Sequence, residues 1–205
     1  MVYAFRTPTS AASGSITEPV GTTNGDILIG WAEATGVISL PASWNLLGSY
    51  IGGRQWICGW IPRGPSAPSL NFSGGALTTL YTIIQPGNIP RFTFQTNAFT
   101  HPSAGAPIVW NASGLPLPFD AILAGRFATG GNTYSGTITP TLNLGPSNGA
   151  STGCLDWYGT PSTDGPFSTN NGMTNTGGVV MDQISVFLQT PPPPAGGNLP
   201  LLGVG

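Results

Sequence analysis

The sequence predicts an all-β protein, an antiparallel β-sandwich or jelly-roll-like fold with an extended, proline-rich C-terminal tail. Three observations lead to this prediction. The 205 residues include 31 glycines and 21 prolines, so a helix breaker interrupts almost every window long enough for a helix. Apolar spacing of the helical type is never sustained. Short apolar and β-branched runs instead alternate with turn residues every ~8 to 15 positions, which is typical of sandwiches and barrels.

The predicted strands share β-branched, aliphatic or aromatic residues inside and Gly, Pro, Asn or Ser at their ends. Asp26 and Asp120 each open a strand after a turn, a position where an aspartate caps nearby backbone. Trp56, Cys58 and Trp60 alternate with further apolar residues, which indicates a strand covered on both faces. In chain order the predicted strands are Val2–Arg6, Asp26–Glu33, Asn45–Ile51, Gln55–Ile61, Leu70–Phe72, Leu77–Gln85, Arg91–Thr96, Ile108–Asn111, Ala121–Ala128, Tyr134–Leu144, Cys154–Tyr158 and Val179–Gln189.

Residues 1–190 are predicted to form one domain with a weak internal repeat, about 22–90 and 118–190. The eleven-residue segment Asp26–Gly36 aligns with Asp120–Gly130, and both begin with Asp and end in Ala-Thr-Gly. Each half also has one cysteine-bearing strand with a nearby tryptophan, and each ends in an aliphatic strand that runs into Gln-Pro or Gln-Thr-Pro. Because Gly, Ala and Thr are abundant in this chain, chance similarity is the alternative.

The low content of charged residues argues against nucleic acid as a partner and favours association with other protein chains. The chain has five arginines, no lysine, seven acids and one histidine, so charged residues make up 6%, against about 25% in typical domains. No basic patch is available for nucleic acid. A nearly uncharged surface favours association, so we expect a homo-oligomer, a trimer or a larger array. No apolar run approaches the ~20 residues of a membrane-spanning helix, and no membrane partner is expected.

Catalytic chemistry is not predicted, and neither is a cofactor or metal. His101 is the only histidine, so any Ser-His or Cys-His system would have to include it. It lies in a loop-like segment with no acidic residue nearby. Without lysine the chain has no phosphate-binding loop of the G-x-x-x-x-G-K-[ST] type. Cys58 and Cys154 are expected to be two buried thiols, with a single disulfide as the alternative.

Several motifs in the first half resemble β-sandwich proteins of tailed bacteriophage virions, of the decoration, fibre or tail-surface type. The pattern is a Gly-Asp followed by aliphatic residues, a Pro-x-x-Trp turn, a strand rich in aromatics, and a Ser-x-Pro loop before a further strand. Its members here are Gly25–Trp31, Leu40–Leu47, Gln55–Trp60, Pro65–Pro68 and Leu70–Phe72. One departure is that the basic residue, Arg63, follows Pro62 and lies outside the strand that it usually ends.

The resemblance implies an architectural role and assigns no catalytic residues. The expected function is therefore a non-enzymatic virion structural protein, a capsid decoration or a tail or fibre surface subunit held by assembly contacts with other virion proteins. The alternative is a carbohydrate- or receptor-binding module on a fibre or cell surface, with a host-surface glycan as partner. Because the N-terminal residues lack the pattern of a signal peptide, synthesis in the host cytoplasm and assembly into the virion are expected.

The tail, residues 191–205, is the predicted docking segment. Four consecutive prolines favour an extended polyproline II conformation, and they are followed by apolar residues on a glycine-rich backbone. As a free segment it would leave these apolar side chains in water, so we expect it to dock on a neighbouring subunit or another virion protein, with simple fraying as the alternative. The predicted docking residues are Pro191, Pro192, Pro193, Pro194, Leu199, Leu201, Leu202 and Val204.

Overall fold

The computed structural model describes residues 3–51, 55–100, 107–111, 120–128, 134–135, 143–144, 154–159, 168–175 and 180–191, with side chains described in 3–51, 55–94, 120–121 and 184–191. Within these ranges the protein is all-β and contains no helix. Every strand pairing is antiparallel. The all-β, antiparallel prediction is therefore confirmed.

Thirteen strands belong to three sheets in the described ranges. They are β1 (Thr9–Ala11), β2 (Ile27–Ala34), β3 (Asn45–Ile51), β4 (Gln55–Pro62), β5 (Leu77–Ile83), β6 (Arg91–Thr100), β7 (Pro107–Asn111), β8 (Ala121–Ala128), β9 (Tyr134–Ser135), β10 (Asn143–Leu144), β11 (Cys154–Gly159), β12 (Ser168–Asn175) and β13 (Val180–Gln189). The first five-stranded sheet has the order β1-β5-β2-β4-β3, and the second has the order β10-β11-β8-β13-β6. A three-stranded sheet has the order β7-β12-β9.

An inner cluster of apolar residues joins the two five-stranded sheets. Alternate residues of β2, such as Ile29 and Trp31, face this cluster because successive side chains of a strand point to opposite faces. From the second sheet, Ile184, Val186 and Leu188 of β13 enter the same cluster, and all five of these side chains are buried. The described side chains of β13 are thereby buried against those of β2.

An outer cluster covers the other face of the first sheet. Its cover comes from the connections between strands rather than from another regular sheet. Phe72 packs edge-on against Trp44 with ring centroids 5.2 Å apart, and both cover Leu28 and Leu80 of the central strands. The further members are Ile16, Ala32, Ala34 and Ile38. Because both of its faces are covered, β2 is buried along its whole length, as its nearly continuous apolar sequence requires.

Most of the predicted strands are present, and three predictions are corrected. Val2–Arg6 and Leu70–Phe72 are not strands in the described residues but contribute isolated bridges, at Phe5 and at Asn71. The pairing register of the N-terminal segment with β5 shifts by one between Phe5 and Thr9; Pro8, which cannot donate a ladder hydrogen bond, lies at this irregularity.

The third correction concerns Tyr134–Leu144, which was predicted as one strand. Its two ends are β9 and β10, which belong to different sheets. β1 and β12 were not predicted, because neither has the alternation of apolar and polar residues that marks a half-buried strand.

Candidate functional site

The predicted docking tail lies almost entirely outside the described residues. Pro191 is described and is half-buried. The remaining predicted docking residues, Pro192, Pro193, Pro194, Leu199, Leu201, Leu202 and Val204, fall outside the described ranges, so the docking role stays a prediction. What the structure does place is the point where the tail leaves the body of the protein.

This exit point is held by Asp120, and Tyr3 lies next to it. The backbone N–H of Thr190, just before Pro191, donates a hydrogen bond to Oδ2 of Asp120. Tyr3 is buried in the inner cluster and lies beside both residues. Burial raises the pKa of Tyr3; contact with Thr190 opposes this shift, and the negative charge of Asp120 adds to it. The tail therefore starts from a fixed position on β13.

A second aspartate, Asp26, makes a similar but richer set of contacts at the start of β2. Oδ1 accepts the N–H of Gln85 at 3.1 Å, and Oδ2 accepts the N–H of Thr23 at 2.8 Å and Nε of Arg6 at 2.9 Å. Burial acts to raise the pKa of Asp26, but the hydrogen bonds from Arg6, Thr23 and Gln85 and the charge of Arg6 outweigh it and hold the pKa below its usual value. Asp26 is therefore ionised in the folded protein at neutral pH.

A second ion pair lies next to this aspartate. Nε of Arg63 donates to Oε1 of Glu18 at 2.7 Å, and Nη2 of Arg63 lies 3.2 Å from Oε2, which is the bidentate arrangement of a strong pair. The backbone of Arg63 is bonded to that of Asp26 and Gly25. The two ion pairs thus form one continuous polar region.

Six of the charged residues whose side chains are described lie at this end of the molecule, which we name the charged end. Arg126, Asp156 and Asp182 lie in the opposite half of the second sheet. The N–H of Ile84 donates to the carbonyl of Ala4, which places the end of β5 beside Tyr3 and hence beside Thr190. Of the seven charged residues whose side chains are described, only Glu33, buried near the opposite end of β2, lies elsewhere. The members of the charged end are Arg6, Glu18, Asp26, Arg63, Arg91 and Asp120.

The flank of the molecule formed by β3 is, by contrast, uncharged and partly apolar. β3 is an edge strand of the first sheet, and Leu46 and Ile51 expose 60% and 77% of their surface. Its sequence contains no charged residue and no proline, which are two of the devices that prevent edge-to-edge pairing; an irregular register, a third such device, is present. A register irregularity lies between Leu46 and Gly48, and the Gly48 backbone lies so close to the Phe94 ring of β6 that a side chain would not fit.

One open cavity of about 400 Å³ lies at the charged end. It is formed where β2 begins and where β4 and β5 end, and its wall includes Ile27, Pro62, Gln85 and Pro86. No titratable or aromatic side chain lines it. The cavity can therefore accept a small polar or apolar group but has no residue for acid–base or nucleophilic chemistry.

The residues with intrinsic chemical reactivity are buried or lie outside the described ranges. Cys58 is a free, fully buried thiol, and burial raises its pKa strongly, which keeps the thiolate population negligible. His101 lies outside the described residues. Across the part of the chain that the structure describes, His, Cys, Asp and Glu residues form no group of three that could hold a metal ion. In the same residues no helix is long and apolar enough to cross a membrane.

The tryptophans with described side chains lie mainly in the core. Trp31, Trp44 and Trp56 are buried, and Trp60 packs against Phe92 with ring centroids 5.2 Å apart. The prediction that Trp56, Cys58 and Trp60 pack in a core is confirmed, since all three belong to or pack against the inner cluster. None of these four rings forms an open stacking surface for a sugar.

Comparison with protein families, with curated proteins and with solved structures gives no match. Function therefore has to be inferred from this chain's own residues. Among these, the two aspartates were visible in the sequence as caps of nearby backbone. Their distant partners, Arg6, Gln85 and Thr190, carry no sequence signal, because only the folded sheet brings them together.

Proposed function

We propose that this chain is a non-enzymatic structural subunit of a bacteriophage virion, a capsid decoration or a tail or fibre surface protein. It is held in place by contacts with copies of itself, as a trimer or larger array, and with other virion proteins. The body is a β-sandwich in which the two five-stranded sheets pack through the inner cluster. Residues 191–205 act as a docking tail that leaves from the charged end.

The observation that carries this proposal is the uncharged, partly apolar edge that β3 forms. The β3 edge presents exposed Leu46 and Ile51 with no charge on the strand. An uncharged, apolar edge strand in contact with water is a template for pairing with another chain. We therefore propose that assembly buries the β3 flank and leaves the charged end in solvent.

The alternative, a carbohydrate-binding module, has less support from the described residues. Such modules stack sugar rings on exposed aromatic side chains, whereas Trp31, Trp44 and Trp56 are buried. The open cavity at the charged end has no aromatic wall. Assembly therefore explains more of the described surface than glycan binding does.

Lysine substitutions on the β3 edge test this proposal. Leu46→Lys and Ile51→Lys place a charge on side chains that are largely in solvent, so they change the stability of the monomer by no more than about 0.5 kcal/mol. If β3 is an assembly edge, the double variant shifts the molar mass measured by light scattering from oligomer toward monomer. Thermal unfolding measured on the same samples checks that the variant is folded.

Val20→Lys is the matched control. Val20 is 93% exposed and belongs to a turn at the charged end, where Thr22 donates to the carbonyl of Pro19. This variant is expected to retain the mass of the unmodified chain. The proposal is wrong about the flank if Val20→Lys dissociates the oligomer while the β3 variant does not, and wrong about assembly if the unmodified chain is monomeric at every concentration.

A further inference from the structure

We infer that the chain is built from two copies of one structural unit, residues 3–86 and 91–191, which pack against each other through the same inner face. This inference goes beyond the proposed function, because it concerns how the body itself is assembled. It rests on the order of the strands, the connections between them, their register, and the face that each unit buries.

The strand order is the same in both five-stranded sheets. In the first unit the strands β1, β2, β3, β4 and β5 form the order β1-β5-β2-β4-β3. In the second unit the corresponding strands, taken in chain order, are β6, β8, β10, β11 and β13. They form the order β6-β13-β8-β11-β10. Each strand therefore has the same neighbours as its counterpart, and all pairings are antiparallel in both sheets.

The connections between strands also correspond. The second unit has one extra strand in each of three connections, and these strands form the sheet β7-β12-β9. In the first unit the equivalent connections meet in the same order through isolated antiparallel bridges. Ser15 pairs with Asn71, and Ser39 pairs with Ser73. The small sheet of the second unit is thus an extended form of a contact that the first unit already makes.

The register relates the two aspartates residue by residue. Asp26 and Asp120 each stand directly before the central strand of their unit. The first residue of that strand pairs with Ile83 in one unit and with Leu188 in the other. Two residues further along, Gln85 and Thr190 are the donors to the two aspartates, and each is followed by a proline, Pro86 or Pro191.

A second set of positions corresponds at the other side of each sheet. Asn45 lies opposite Trp60, and Trp60 lies opposite the third residue of β2. Asn143 lies opposite Tyr158, and Tyr158 lies opposite the third residue of β8. The next residue after each asparagine is a leucine. Matching Asp, Pro and Asn-Leu at registered positions is not explained by the overall abundance of Gly, Ala and Thr.

The two units bury the same face against each other. On β5, Tyr81 and Ile83 point into the inner cluster, and the corresponding residues of β13, Val186 and Leu188, point into it as well. The interface between the sheets is therefore homotypic, with a unit of the same fold as its partner. Since this face is already occupied within one chain, assembly with further chains has to use the remaining surfaces.

Interstrand nuclear Overhauser contacts in the full chain test the inference directly. Backbone contacts are expected between Asn143 and Tyr158 and between Tyr158 and Leu123, matching the contacts of Asn45 with Trp60 and of Trp60 with Ile29. The inference is overturned if β10 or β11 pairs in a different order, or if the register around Asp120 is shifted from that around Asp26.

Amide hydrogen exchange in two single variants gives an independent measurement. Asp26→Asn is expected to speed exchange of the Gln85 amide about tenfold or more while the Thr190 amide is unchanged, and Asp120→Asn is expected to do the reverse. Glu18→Gln, which alters an ion pair but no aspartate cap, should leave both amides protected. Equal exchange of Thr190 with and without Asp120 contradicts the equivalence of the two caps.

Discussion

The two units differ in their connections much more than in their sheets. In the first unit the connections touch through single bridges and cover the outer face with side chains such as Phe72 and Trp44. In the second, the same connections contain β7, β9 and β12, and β12 alone has eight residues. The shared framework is a central strand preceded by an aspartate that binds the end of its neighbour. In the first unit the connections pack on the outer face of the sheet and so lie outside this framework.

The largest loss of stability is expected from a substitution in the connection that covers the outer face of the first sheet. Phe72→Ala removes a fully buried ring that packs against Trp44 and against the backbone of Gly30. The free energy of unfolding should fall by about 3–5 kcal/mol, measured by urea denaturation.

Val37→Ala is the matched control, because Val37 belongs to a neighbouring connection but is exposed. It should change the free energy of unfolding by less than about 0.5 kcal/mol. Similar losses for the two variants would mean that the connections do not form a specific cover.

The second-largest loss of stability is expected from substitutions of the two capping aspartates. Asp26→Asn should lower the free energy of unfolding by about 2–3 kcal/mol, because it removes a buried charge that accepts hydrogen bonds from Arg6 and from two backbone N–H groups. Asp120→Asn should lower it by about 1–2 kcal/mol, since Asp120 is only half-buried. A larger loss for Asp120→Asn would contradict the ranking of the caps.

Asp26 also makes the stability of the fold depend on pH. The pKa of Asp26 is lower in the folded protein than its ordinary value of 3.8, so the folded state binds this proton less readily than the unfolded state. Its contribution is complete above about pH 5 and is lost as the pH falls through the folded pKa. Urea denaturation of the unmodified chain and of Asp26→Asn between about pH 2 and pH 6 should show a smaller acid loss in the variant. Parallel curves would contradict an ionised Asp26.

The smallest effect on stability is expected from the tail. Deleting residues 192–205 keeps Thr190, Pro191 and the hydrogen bond to Asp120, so the melting temperature should stay within a few degrees of the full chain. Incorporation into particles should weaken. A truncated chain that does not fold would place the tail in the core, and one that assembles normally would show that the tail has no docking role.

The sequence was sufficient to predict the bounds of strands that have their own apolar pattern. β3 and β8 have the predicted bounds, and β2 differs by one residue at each end, because aliphatic runs bounded by turn residues are a local signal. β12, with the sequence Ser-Thr-Asn-Asn-Gly-Met-Thr-Asn, has no such signal. Its assignment depends on the backbone partners that β7 and β9 bring to it, and a single segment cannot show them.

The aspartate caps show the same limit. Their position before a strand predicted capping of local backbone, and Asp26 does accept the N–H of Thr23. The partners Arg6 and Gln85 come from the N-terminal segment and from the end of β5. Only the strand order β1-β5-β2 brings Arg6 and Gln85 to Asp26. The strand order also relates the two halves of the chain by register, although their sequence similarity is weak.

A structural role in the virion requires the chain to be present on the surface of intact phage particles, which immunoelectron microscopy detects. Antibodies raised against the purified chain should label the particle surface at regular positions, and the chain should sediment with the particles through a density gradient. Particles that carry no label, with the chain remaining at the top of the gradient, would contradict a structural role in the virion.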